Sequence, residues 1–143
     1  MKSSAMNLPA ACVSLLLLTG MSAIAHHSFS AEFDQNKPIT LTGLVTKVEW
    51  TNPHAHFSVE GKDESGNVAT WEFETGSPNA LSRRGWTRNS LKVGDTVTVQ
   101  GLRAKDKSTV ANARTVTLAD GRKIFAGSAD DGVPAPAGGV APK

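Results

Sequence analysis

Ile39-Thr40-Leu41-Thr42-Gly43-Leu44-Val45-Thr46-Lys47-Val48-Glu49-Trp50 alternates apolar and polar side chains with the period of two that a β-strand imposes. Ile39 and Leu41 share one parity, while Leu44, Val48 and Trp50 share the other. Gly43 sits between them, and a glycine at a parity change predicts a β-bulge that bends one long strand so that both halves face a single core. Thr51-Asn52-Pro53 ends this strand, because proline lacks a ladder donor and forces its predecessor to be extended. A second strand is expected from His54 to about Glu60.

Working outward, Gly61 to Gly66 predicts a hairpin loop, and Val68 to Glu74 a third strand with Ala69, Trp71 and Phe73 on one face. Ser77-Pro78 opens the one helix expected, with Ser77 as N-cap, Pro78 in the first turn, Asn79 to Arg84 as its body and Gly85 as its stop. Thr96 to Val99 alternates as a fourth strand ending near Gly101-Leu102. Ala113 to Leu118 forms a fifth, and Asp120-Gly121 turns the chain into a short extension through Ile124-Phe125. Strand, strand, strand, helix, strand, strand with a long bent first strand predicts an all-β fold with one short helix. The expected form is a small five-stranded OB-like Greek-key barrel. An immunoglobulin-like sandwich needs about seven strands.

The chain has 143 residues, room for one domain of ordinary core size. Residues 1–25 read as a signal peptide: Lys2 gives the positive start, Ala10 to Leu18 the apolar run, and Ala23-Ile24-Ala25 the small-residue cleavage site. Ala10 to Leu18 is about half the ~20 apolar residues a membrane span needs, so no transmembrane span is expected in the mature form. A periplasmic or secreted location follows. Cleavage would remove the only cysteine, Cys12, and all three methionines, leaving 118 residues held together by packing alone. The domain is expected over 26–127, followed by a disordered tail over 128–143 that lacks apolar periodicity. Charge is divided unevenly: residues 26–82 carry three basic and eight acidic side chains, whereas 83–123 carry ten basic and three acidic.

All four histidines survive cleavage, in two clusters: His26-His27 and His54-x-His56. His54 and His56 project from one face of a strand, with Cα atoms roughly 6.5–7 Å apart, a spacing at which two imidazoles converge on one metal ion. A hairpin register that sets Phe57 opposite Trp71 would set His56 across from Glu72 and His54 across from Glu74, carboxylates able to orient the rings or to join as oxygen ligands. As a mature first residue, His26 would offer both its α-amine and its ring nitrogen. That chelate resembles the copper histidine brace of lytic polysaccharide monooxygenases and of some periplasmic copper carriers. Nitrogen donors without thiolate favour Cu(II) over Ni(II) or Zn(II). The same residues admit a local role, in which His54 and His56 hydrogen-bond Glu72, Glu74 or the Asn52-Pro53 turn as a pH-sensitive set.

His26-His27-Ser28-Phe29 with Phe33-Asp34, followed by Trp50-Thr51-Asn52-Pro53-His54, resembles an exported bacterial family classified only as a domain of unknown function. The likeness spans roughly His26 to Phe125 and implies an exported small β-barrel without an established reaction. A broader likeness, of fold alone, is to periplasmic OB-fold proteins of the stress-associated type. No nucleophile elbow, phosphate loop, dinucleotide fingerprint or cysteine zinc pattern is present. A non-enzymatic role is therefore favoured, with a metal ion or small ligand as partner. The rival reading is a periplasmic adaptor or ligand-binding module in which Arg83, Arg84 and Arg88, with Trp86 among them, contact an anionic partner. Export argues against intracellular nucleic acid.

Overall fold

The computed structural model describes residues 29–127. The expected signal peptide, His26, His27 and the expected tail over 128–143 all lie outside these residues.

The elements in chain order are α1 (Phe29–Glu32), β1 (Phe33–Glu49), β2 (His56–Asp63), β3 (Val68–Glu74), α2 (Pro78–Arg83), β4 (Thr96–Ala104), β5 (Val110–Leu118) and β6 (Lys123–Phe125). The sheet runs β3-β2-β1-β4-β5-β6, and a parallel pairing of β3 with β5 closes its first five strands into a ring. All other pairings are antiparallel. This is the all-β, five-stranded Greek-key arrangement expected, with β6 as a short added strand. Two short helices stand where one was expected. The four-residue α1 is too short to leave a periodic signal.

The bend in β1 is not where the sequence pattern put it. Ile39, Leu41 and Val45 are all buried, on one parity, and Leu44 is 52% exposed. The parity therefore holds through Gly43 and changes at Thr46, where the β1–β2 register shifts between Val45 and Lys47. Gly43 answers a different need. It pairs with Gly61, and a Cβ on either residue would run into the backbone carbonyl of the facing strand. Gly61 is correspondingly a strand residue rather than the start of the hairpin loop.

The loop is tighter than expected. Asp63 accepts backbone hydrogen bonds from Ser65 (2.9 Å) and Asn67 (3.0 Å) through Oδ1, and Gly66 takes φ +82°, where a Cβ would be strained. The β2–β3 register consequently slips by two residues from the expected one. Phe57 faces Phe73, Val59 faces Trp71, and His56 faces Glu74. A two-residue slip preserves the alternation of faces, so core and surface sets are unchanged.

The core joins Leu41, Val59, Phe73, Val97, Val99 and Val116 inside the ring, with the Phe57 and Phe73 rings stacked at 5.4 Å. Each such large apolar side chain contributes about 1.5–3 kcal/mol on burial. A second, smaller cluster lies on the outer face, where Phe33, Leu102 and Ala104 pack with Phe29 and Val110. α2 caps one end of the ring. Ser77 Oγ accepts from the Ala80 N–H at 3.2 Å, Leu81 enters the core, and Gly85 at φ +88° ends the turn.

Candidate metal centre

β2 begins at His56 rather than His54, so His54 stands just before the strand, after the cis Asn52–Pro53 bond. Ala55 and Phe57 turn into the core between and beyond the two histidines. That alternation leaves both imidazoles on the outer side. Both expected carboxylate partners are met. His54 Nδ1 lies 2.6 Å from Glu74 Oε1, and His56 Nδ1 lies 3.2 Å from Glu72 Oε1. Because of the register slip, His56 reaches Glu72 diagonally instead of straight across the ladder. Its Nδ1 is buried and off the line of a good hydrogen bond, so this contact is an ion pair of lower quality than that of His54.

The two carboxylates differ in setting. The Glu74 side chain is 15% exposed, that of Glu72 50%. Burial pushes the Glu74 carboxyl above the ordinary glutamate range; the His54 imidazole pulls it back, the negative charge of Glu32 raises it further, and His56 lowers it. Glu32, at the end of α1, is thus one of the charges that act on Glu74.

With Nδ1 of each ring turned to a carboxylate, Nε2 is the nitrogen left to serve as a ligand, the arrangement common in metal-bound histidine. Among the described residues no group of three or more His, Cys, Asp or Glu side chains is set to hold a metal ion by itself. Any further nitrogen donors would have to come from His26 and His27.

The basic side chains have divergent fates. Arg84 is committed: its Nη1 donates to the Gly127 carbonyl at 2.8 Å, and its guanidinium lies 4.4 Å from the Phe125 ring centre. Arg83 and Arg88 are exposed. Trp86 is 5% exposed and its Nε1 donates to the Phe125 carbonyl at 2.9 Å, so it offers no stacking face to a ligand. Sequence reasoning also missed the contacts or setting of three residues. Arg103 lies over the Trp71 ring at 4.8 Å and 3.7 Å from Asp63 Oδ2. Glu32 bears on Glu74, and Asn112 is buried with both amide atoms unpaired. No periodicity or spacing marks any of these, because each depends on strands far apart in the chain.

Among the described residues, no helix is long and apolar enough to cross a membrane. Comparison with curated proteins returns no match, and comparison with solved structures returns none. The model of a family of unknown function, DUF6152, matches residues 13–113, a span that takes in β1 to β4, both histidines of the candidate centre and their two carboxylate partners. The chain belongs to that family.

Proposed function

We propose that this is an exported protein, periplasmic or secreted, that binds a divalent metal ion, Cu(II) foremost, through His54 and His56 together with His26, and with His27 as the alternate ligand. The observation that carries this reading is the pairing of both imidazoles through Nδ1 with Glu74 and Glu72, which fixes the rings and directs Nε2 outward. The influence of Glu32 on Glu74 supports it further. Glu32 acts electrostatically on Glu74, and His26 and His27 stand only three and two positions before Phe29, a reach of at most about 11 Å. A nitrogen-rich, thiolate-free donor set favours Cu(II) among the divalent first-row metals. The role is binding or carriage rather than catalysis.

Calorimetric titration with Cu(II) of the processed protein beginning at His26 tests this reading. The expected result is submicromolar binding at one site per chain, weakened by His54→Ala and by an extra residue placed before His26. Micromolar or weaker binding indifferent to both changes would refute it.

A further inference from the structure

The segment between α2 and β4 and the turn between β5 and β6 leave a cleft of about 330 Å³ between them, bounded by the first residue of β4. Space of that order is what small-ligand pockets provide, ~300–1,000 Å³. No residue of the candidate metal centre lines it.

The charges of the cleft cancel. Lys92 and Arg122 line it together with Asp95 and Asp120, so the cleft as a whole favours neither an anion nor a cation. Part of this set is engaged within the protein: Asp120 accepts from the Arg122 backbone N–H at 3.0 Å and from its Nε at 2.6 Å, and Asp95 Oδ2 accepts from the Lys92 N–H at 2.8 Å. The remainder makes no hydrogen bond to any described residue. Lys92 Nζ and the Arg122 Nη groups are free to donate, Asp95 Oδ1 to accept, and the Asn89 carboxamide to do both.

From Thr96 the cleft continues onto an uncharged strip of the sheet. Val97 and Val99 are buried, which turns Thr96 and Thr98 outward. Thr96 stands opposite Leu44, and Thr98 stands between Thr42 and Thr117. The Thr42 and Thr98 hydroxyls share a hydrogen bond at 2.9 Å, whereas those of Thr96 and Thr117 bond to no described residue. Leu44 is 52% exposed and adds an apolar side chain to the strip. Hydroxyls interspersed with methyl and isobutyl groups, without charge, match the mixed O–H and C–H surface of a pyranose ring.

We propose that the cleft binds one unit of a neutral oligosaccharide and that the strip of Thr96, Thr98, Thr117 and Leu44 carries the next. Asp95 Oδ1 and the Asn89 carbonyl accept from sugar hydroxyls, while Lys92 Nζ, the Arg122 Nη groups and Asn89 Nδ2 donate to hydroxyl oxygens. Neighbouring hydroxyls donate and accept at once and so use both kinds of group. An anion would meet Asp95 and Asp120, and a cation would meet Lys92 and Arg122. The site shares no residue with the metal reading and stands or falls apart from it.

The experiment is an NMR titration of the isotopically labelled chain in EDTA with three neutral trisaccharides, maltotriose, cellotriose and triacetylchitotriose, and with trigalacturonate as the charged counterpart. The expected result is a saturable shift of the Asn89, Lys92, Thr96 and Asp120 amides with at least one neutral sugar, while trigalacturonate leaves them in place and the amides of His56 and Glu74 do not move. Asn89→Ala and Lys92→Gln remove no side-chain bond within the fold, and each should weaken that binding about tenfold. The absence of a saturable shift with all three neutral sugars, an equal response to trigalacturonate, or an affinity unchanged in both variants would each overturn the proposal.

Discussion

His56 and Glu74 face each other directly in the β2–β3 ladder, yet their side chains do not pair: Glu74 takes His54 at 2.6 Å and His56 turns diagonally to Glu72 at 3.2 Å. The crossed arrangement gives each imidazole its own carboxylate. It also concentrates the better hydrogen bond and the greater burial on one pair, His54–Glu74, so the two pairs are not equivalent.

Glu74→Gln is expected to weaken Cu(II) binding by about 10–100-fold, the usual effect of removing a carboxylate that orients a ligating histidine. Glu72→Gln should cost less, since Glu72 is itself 50% exposed and its contact with His56 is poorly aligned. Calorimetric titration of the two variants side by side checks the order. Equal losses would show that the pairs contribute alike.

Gly43→Ala and Gly61→Ala should each destabilise the fold by about 1–3 kcal/mol, the range for forcing extra atoms into a packed site. The obstacle in both cases is a backbone carbonyl on the facing strand, which cannot rotate aside as a side chain can. Because the two glycines are ladder partners, the double variant should depart from additivity. Urea unfolding of the two single variants and the double variant measures both effects.

Asp63 is held below the usual carboxylate range chiefly by the Asn67 backbone N–H, helped by the Ser65 N–H and by Arg103, against a smaller opposing push from burial. A carboxyl depressed in the folded state contributes stability that is present above its unfolded pKa and is lost as pH falls through its folded one. Thermal unfolding followed from neutral pH into acid should therefore show a shallower decline for Asp63→Asn than for the natural chain. Parallel declines would remove Asp63 from the acid response.

Arg84 and Arg83 should separate cleanly. Arg84→Gln removes the hydrogen bond to Gly127 and the contact with the Phe125 ring, for an expected loss of about 1–2 kcal/mol, whereas exposed Arg83→Gln should stay within about 0.5 kcal/mol of the parent. Denaturant midpoints report the difference. A stability loss on Arg83→Gln equal to that on Arg84→Gln would contradict the structure.

Ser77→Ala should cost about 0.5–2 kcal/mol by leaving the Ala80 N–H without its cap, and Ser77→Gly only a few tenths. The same unfolding measurement distinguishes them.

Much of the architecture was readable from local pattern. The period-two alternation marks β1 to β5, and Ser77-Pro78 with Gly85 marks α2, because caps and turn residues act within a few positions of themselves. The partners of the histidines were readable for a less secure reason. The expected register is two residues from the observed one, and the pairs survive because an even slip keeps His54, His56, Glu72 and Glu74 on one face, where long side chains reach diagonally. An odd slip would have separated them.

Gly43 shows the limit of local pattern. Its neighbours Leu41 and Leu44 have opposite parity, which reads as a bulge, but Leu44 simply faces outward and the bulge comes later, between Val45 and Lys47. Hydrophobicity along one strand cannot distinguish an exposed leucine from a change of face. The β1–β2 pairing settles it.

By itself the sequence determined the strand periods, the place of α2 and the grouping of His54, His56, Glu72 and Glu74, because each depends on spacing along one strand, around one turn or across one hairpin. Only the tertiary structure decided the closure of the ring through β3 and β5, the engagement of Arg84 and Trp86 by the chain near Phe125, the electrostatic action of Glu32 on Glu74 and the isolation of Asn112. The pairings among them join residues about 40 positions apart that meet only when the sheet curls on itself, and no local pattern of side chains encodes that meeting.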